Sequence, residues 1–333
     1  METGKNRVWL GERNLYFDFP NVHPEARLRI NFRRTLRVPD DGRDYPLPAS
    51  LGRFPLLPVQ DYADSLPPVM QTFGGVMLPM YQSEATWLNF DGSYPIAVKI
   101  AAGKINAVTG DSWQATLNNN PQDYITIPEQ PWLDGFCVEK GTVRQFVAMP
   151  LGEGYTAEEQ LTGKAEFGGL QIQAYPMKRE FYDEWQEKLR RELGTDYHEL
   201  PFFFSREIVE ECQMGYAPGG KIVQDIYDDP HGVDAWDYDH SLRCFVHAVN
   251  SAEYLAITGR QPPHPPISKK AYQQEGIPWF EMYEREKRAL RGSSRLARLK
   301  SLAQKSKEKN LPIFDNVTIH PNTVELLESE SNN

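Results

Sequence analysis

The chain has 333 residues, with 36 Lys and Arg against 46 Asp and Glu for a formal net charge of -10, and 40% hydrophobic, 12% aromatic and 25% charged residues. That is globular composition, and it excludes a wholly disordered chain, a collagen-like repeat and a small disulfide scaffold. The length accommodates one large domain or two modest ones, either able to bury a substantial core.

The polar opening Met1 to Arg7 and the charges Glu12 and Arg13 interrupt any apolar leader, so no secretory signal is expected. No apolar run approaches the roughly 20 residues of a membrane span. Cys137, Cys212 and Cys244 are odd in number and show no metal or redox spacing, which fits a reducing compartment. A cytoplasmic location is the expectation.

Along the chain, Arg27 to Phe32 alternates charged and apolar residues with the period of a half-buried strand, and a turn-rich stretch from Pro39 to Pro48 follows. Ile96 to Ile100 predicts another strand, which Ala101-Ala102-Gly103 turns into Lys104 to Val108 as a hairpin. Tyr124 to Ile127, Val143 to Met149 and Arg243 to Val249 are rich in β-branched and aromatic residues, the last two reading as buried on both faces. Gly74-Gly75, Gly168-Gly169 and Gly219-Gly220 each predict a permissive turn opening a strand that runs to Tyr81, Tyr175 or Tyr227. One amphipathic helix is predicted over Glu180 to Leu193, with Phe181, Trp185 and Leu189 four apart and Gly194 as its stop. Arg260 to Pro266 predicts an extended strap, and Ile277 to Tyr283 a cluster that docks on the core.

Beyond it the charge changes sign. Lys287 to Lys309 carries a net +8, the remainder to Asn333 carries -4, and residues 1 to 286 are left at -14. The expected fold class is α+β and β-dominated, with antiparallel sandwich-like or jelly-roll-like sheets and a few peripheral helices. The expected organisation is a globular body over 1-286, divisible into 1-178 and 179-286 near the helix, followed by a basic helical appendage and acidic tail over 287-333.

Several motifs of known chemistry are excluded. Gly152 to Ala157 has the outline of a dinucleotide loop, but Pro150 intervenes, Gly163 stops the helix early and no acidic residue follows at the ribose position. A capped short helix at Thr156 is the simpler expectation. Ala102-Gly103-Lys104 lacks the Ser or Thr of a phosphate-binding loop, and no Gly-x-Ser-x-Gly elbow exists.

The densest polar chemistry lies between Asp225 and His247. Asp225, Asp228, Asp234 and Asp237 with His231 and His240 are the candidate ligands of a divalent metal, because turn carboxylates suit hard cations and imidazole suits transition metals. The competing reading is a solvated turn whose aspartates accept hydrogen bonds from nearby backbone N–H groups. Arg144 and His247, each set in an apolar strand, are candidate anion or ligand contacts, against a structural ion pair for the first and a hydrogen-bonded core residue for the second. Ser293 or Ser294 caps a predicted basic helix in which Leu296, Leu299 and Leu302 form an apolar stripe flanked by Arg295, Arg298 and Lys300. Such a helix wants a partner, and the acidic body itself, within one chain or between copies, is the first to consider.

Pro121-Gln122-Asp123-Tyr124, Pro128 to Gly135, Arg144 to Gly152 and Ile277-Pro278-Trp279-Phe280 resemble phrases in a family of uncharacterised microbial proteins, over about Arg34 to Tyr283. The resemblance implies no named activity, so it brings no catalytic residue, and the chain after Lys287 lies outside it.

The leading functional expectation is a non-enzymatic binding or assembly protein that presents aromatic and acidic loops to a protein partner or to a second copy of itself. The alternatives are a metal-dependent enzyme using residues 225-247, and a membrane-surface protein attached through the basic helix. No resident cofactor is expected unless the metal reading holds. Nucleic acid is disfavoured, since no zinc finger, aromatic RNA-binding motif or second basic stripe is present.

Overall fold

A computed structural model describes residues 4–193, 214–260, 272, 279–281, 287–312 and 323–325. Cys212, the proline-rich run from Gln261 and most of the acidic tail lie outside the described residues.

Alternation along Arg27–Thr35 splits the strand into two chemistries. Leu28, Ile30 and Phe32 are fully buried on one face, while Arg29, Asn31 and Arg33 take the other. Its neighbours Asn14–Asp18 and Ala85–Asp91 pair antiparallel, setting Tyr16 opposite Arg29, Asn89 opposite Asn31 and Trp87 opposite Arg33. Leu15, Phe17, Leu88 and Phe90 thereby join the same apolar core.

From Ala85–Asp91 the pairing passes to Thr142–Pro150 and on to Met214–Val223, whose Met214 meets Ala248 of Leu242–Asn250. That strand pairs with Leu170–Pro176, which pairs with Ile96–Ala102, which ends against Ile125–Ile127. Among the described residues three pairings are parallel: Val76–Met80 on Leu242–Asn250, Asp44–Tyr45 on Met214–Val223, and, in a second sheet, Trp279–Glu281 on Thr323–Glu325. Among the described residues the other strands form one 17-stranded sheet, beside the three-stranded sheet that joins Leu47–Pro48, Trp279–Glu281 and Thr323–Glu325.

Phe17, Ile30 and Phe32 share one apolar cluster with Ile96, Val98, Ile172 and Val246, so the sheet bends back over a common interior. The fold is α+β and β-dominated, as the alternation predicts, and the longest described helix is Arg179–Leu193. No helix among the described residues is long and apolar enough to cross a membrane.

Several local predictions reappear in detail. Thr156 and Glu159 form a reciprocal capping box on Ala157–Thr162, which ends at left-handed Gly163. The hairpin at Gly103 is short, pairing Ala101 with Asn106 and Ala102 with Ile105. Trp279 packs against Tyr272 and Tyr45 with ring centroids 5.8 and 6.1 Å away, which places part of the Ile277 to Tyr283 cluster in the core.

Other expectations need correcting. Gly219-Gly220 lies inside Met214–Val223 instead of opening a strand, because the Pro39 carbonyl passes so close that a Cβ on Gly220 would stand 2.3 Å from its oxygen. Cys137 is buried in the strand Gly135–Glu139, where burial and then the Asp225 charge push its thiol up to about 12.

The single basic helix is in fact two, Ser294–Ala297 and Leu302–Glu308. Ser293 Oγ accepts from the Leu296 N–H at 3.2 Å, and Ser301 Oγ accepts from the Gln304 N–H at 3.3 Å. The break lets Leu296 seat in the main core while Leu302 seats in a separate cluster with Val147, Met149 and Ala217.

Candidate functional site

The aspartates and histidines of 225-247 turn toward separate partners. Asp228 accepts from Arg288 Nε at 2.8 Å, and Asp237 meets His240 Nδ1 at 2.8 Å while also taking the backbone N–H groups of Asp239 and His240 at 3.0 Å. Asp229, outside the predicted ligand set, is the structural centre of the loop: it accepts from Tyr124 Oη at 2.6 Å, Trp236 Nε1 at 2.9 Å and the His231 N–H at 2.8 Å. His231 stands between the rings of Trp185 and Trp236, with Nε2 3.4 Å from Glu129 Oε1. Asp225 and Asp234 enter through their backbone carbonyls, which accept from Gln130 Nε2 and Lys178 Nζ. The six predicted ligands do not converge, and among the described residues no group of three or more His, Cys, Asp and Glu is placed to hold a metal ion.

Arg144 reaches the Asp40 carboxylate at 3.2 Å and the Gly219 carbonyl at 2.9 Å, so a carboxylate of this chain occupies its anion position. The other Asp40 oxygen accepts the Ala303 N–H at 2.8 Å, tying the C-terminal segment to the body. Of the predicted partner-binding residues, Leu296, Leu299 and Leu302 are buried, Arg295 pairs with Asp111 at 3.1 Å, Lys300 pairs with Glu308, and Arg298 is exposed. The apolar stripe is thus covered by the same chain.

His247 leads to a different surface. It is buried, with Nε2 2.8 Å from the Gly74 carbonyl, and burial lowers its pKa against the raising effect of that contact. Strand register places it on a polar face. Lys99, Gln173 and Arg243 stand directly opposite one another across Ile96–Ala102, Leu170–Pro176 and Leu242–Asn250, and the next row joins Ala101, Gln171 and Phe245. Tyr175 lies opposite Ala97, which in turn faces Thr126. The intervening residues Val98, Ile100, Ile172, Cys244 and Val246 fill the core behind.

Cations and rings interleave over this face. Arg243 lies 4.7 Å over the Phe245 ring and 6.0 Å from the Trp113 ring, and Lys104 lies 3.9 Å over Phe167. Phe73 bridges them, with centroids 4.7 Å from Phe245 and 5.6 Å from Phe167. Phe73, Trp113, Phe167 and Phe245 are partly exposed, and Arg243 and Lys104 are exposed.

One edge is rigid. The buried Lys99 ammonium donates to Asp123 Oδ2 at 2.5 Å and to the Thr116 carbonyl at 2.6 Å, and Tyr175 Oη donates to the Ala115 carbonyl at 2.5 Å. Burial raises the Asp123 carboxyl pKa while the Lys99 hydrogen bond lowers it. Trp113 Nε1, Gln173 Oε1 and Thr126 Oγ1 are buried without a hydrogen-bond partner among the described residues. The resulting surface can hold a partner by stacking and by guanidinium and ammonium hydrogen bonds.

The sequence singled out His247 as a ligand contact, and the structure gives it a hydrogen bond to the Gly74 carbonyl; Lys99, Lys104, Arg243 and the four rings were not singled out. The signal was present only in part: Lys99 interrupts an otherwise apolar strand, and Arg243 opens another. Comparison of the chain with protein families, with curated proteins and with solved structures found no match.

The face depends on a close backbone approach at Gly75, which has φ +89° and whose added Cβ would stand 2.1 Å from the Phe245 carbonyl oxygen. Gly75→Ala is expected to cost on the order of 3 kcal/mol, combining left-handed strain with overpacking. A lowered urea midpoint at unchanged m would report it.

Proposed function

We propose that this chain is a non-enzymatic binding or assembly protein that associates through the cation–aromatic face, with a second copy of the chain as the occupant. The observation that carries the reading is Arg243, an exposed guanidinium held over Phe245 at 4.7 Å beside partly exposed Trp113, Phe73 and Phe167. Arg and aromatic residues are the side chains that most often anchor protein interfaces, because they offer large rigid contact area at low entropic cost. Charge complementarity is local: Arg243 and Lys104 can pair with carboxylates of a second copy, in which 46 Asp and Glu outnumber 36 Lys and Arg.

The test is sedimentation velocity of the full chain over a wide concentration range at low and high salt. The expected result is a concentration-dependent oligomer that salt weakens. The double variant Arg243→Glu/Phe245→Ala should weaken it about tenfold or more. A monomer at every concentration, or an oligomer indifferent to the double variant, would sink the reading.

A further inference from the structure

We propose that a groove between the loop Asn118–Gln122 and the strap 288–295 is a second, separate site that binds a small ligand carrying two or more phosphoryl groups. The groove has a volume of about 710 Å³, ample for a ligand of that size.

Its walls come from three elements. The loop is shaped by its own polar groups: the Asn118 N–H donates to Asp123 Oδ1 at 2.9 Å, and the Asn120 N–H donates to Asn118 Oδ1 at 3.1 Å. Asn119 and Asn120 line the groove. The strap is pinned along its length, with Arg288 C=O accepting the Asp228 N–H at 2.8 Å, the Leu290 N–H donating to Ile226 C=O at 2.7 Å, and the Ser293 N–H donating to Cys137 C=O at 2.9 Å. Lys140 enters from the turn between Gly135–Glu139 and Thr142–Pro150.

Four cations therefore line one groove: Lys140, Arg288, Arg291 and Arg295. The two carboxylates among its lining residues are already engaged, Asp228 by Arg288 at 2.8 Å and Asp111 by Arg295 at 3.1 Å. Two positive charges are left over, Lys140 and Arg291. Both are exposed, they come from different elements, and neither has a described carboxylate partner. Asn119, Asn120, Thr109 and Ser294 line the same groove. A mainly polar groove with surplus charge at two separated points suits a multiply charged hydrophilic anion better than an apolar or singly charged ligand. Guanidinium and ammonium are the side-chain groups that bind phosphoryl oxygens.

Isothermal titration of the full chain with pyrophosphate and with tripolyphosphate tests the site. Saturable binding near one per chain is expected, weakening with added salt, and about tenfold weaker in the double variant Lys140→Ala/Arg291→Ala. Both side chains are exposed, so the variant should unfold at the same temperature as the parent. Arg291→Lys should bind between the two. Arg243→Glu, at a residue that does not line the groove, should leave pyrophosphate binding unchanged, which separates this site from the assembly surface. No saturable binding of either anion, or equal binding by the double variant, would overturn the proposal.

Discussion

Replacing Arg34 with methionine is expected to cost the fold about 3–5 kcal/mol near neutral pH, the largest single loss foreseen for any one side chain. Arg34 and Glu84 are both 3% exposed, with Arg34 Nε 3.1 Å from Glu84 Oε1, and the other Glu84 oxygen accepts the Tyr81 N–H at 3.0 Å. Burial already pushes the Glu84 carboxyl up to about 7, and Arg34 is the chief influence holding it down. Without the guanidinium, the carboxyl must stay protonated or stand buried as an unpaired charge. The deficit should accordingly grow as pH rises through about 7, where the carboxyl ionises in the parent but must stay protonated in the variant, and should be smallest below that. Adding Glu84→Gln to the variant should recover part of the loss at neutral pH. Guanidinium chloride unfolding at about pH 5 and about pH 8 measures both effects, and a pH-independent deficit would show that lost packing, not charge, is responsible.

Asp134→Asn is expected to act in the opposite direction. Asp134 is 0% exposed, neither carboxyl oxygen has a described hydrogen-bond partner, and burial pushes its pKa up to about 8. The folded protein thus holds this proton more tightly than the unfolded chain, in which an Asp titrates near 4. Unfolding releases the proton, so the stability Asp134 contributes is full below about pH 4 and is lost progressively as pH rises through about 8. Asparagine keeps the shape without the titration. The variant should match the parent near pH 4 and exceed it by a few kcal/mol near pH 9. Parallel pH profiles for the two proteins would exclude Asp134 as the source.

Legibility in the sequence depended on the range of the interaction. The strand Arg27–Thr35 was readable because neighbouring residues alternate between core and polar face, and the capping box at Thr156 because both partners lie three residues apart. The Asx-type reading of Asp229 and Asp237 rests on contacts two or three residues long. Lys99, Gln173 and Arg243 are each about 70 residues from the next, and only strand register makes them neighbours. The same holds for Arg34 with Glu84 and Arg144 with Asp40, where the sequence could raise the question of a buried arginine's partner but not name it.

What the chain's own order of residues determined was therefore local: the β-rich class, the punctuation by glycine and proline, the helix caps and the reversal of charge after Lys287. Tertiary structure alone decided which polar side chains share a face, that Leu296 and Leu302 face inward instead of outward, and that the cations of the strap meet Lys140 across a groove. The physical reason is that backbone preference and capping act over a few residues, whereas pairing register, burial and ion-pair choice follow from minimising unsatisfied charge and exposed apolar surface across the whole molecule.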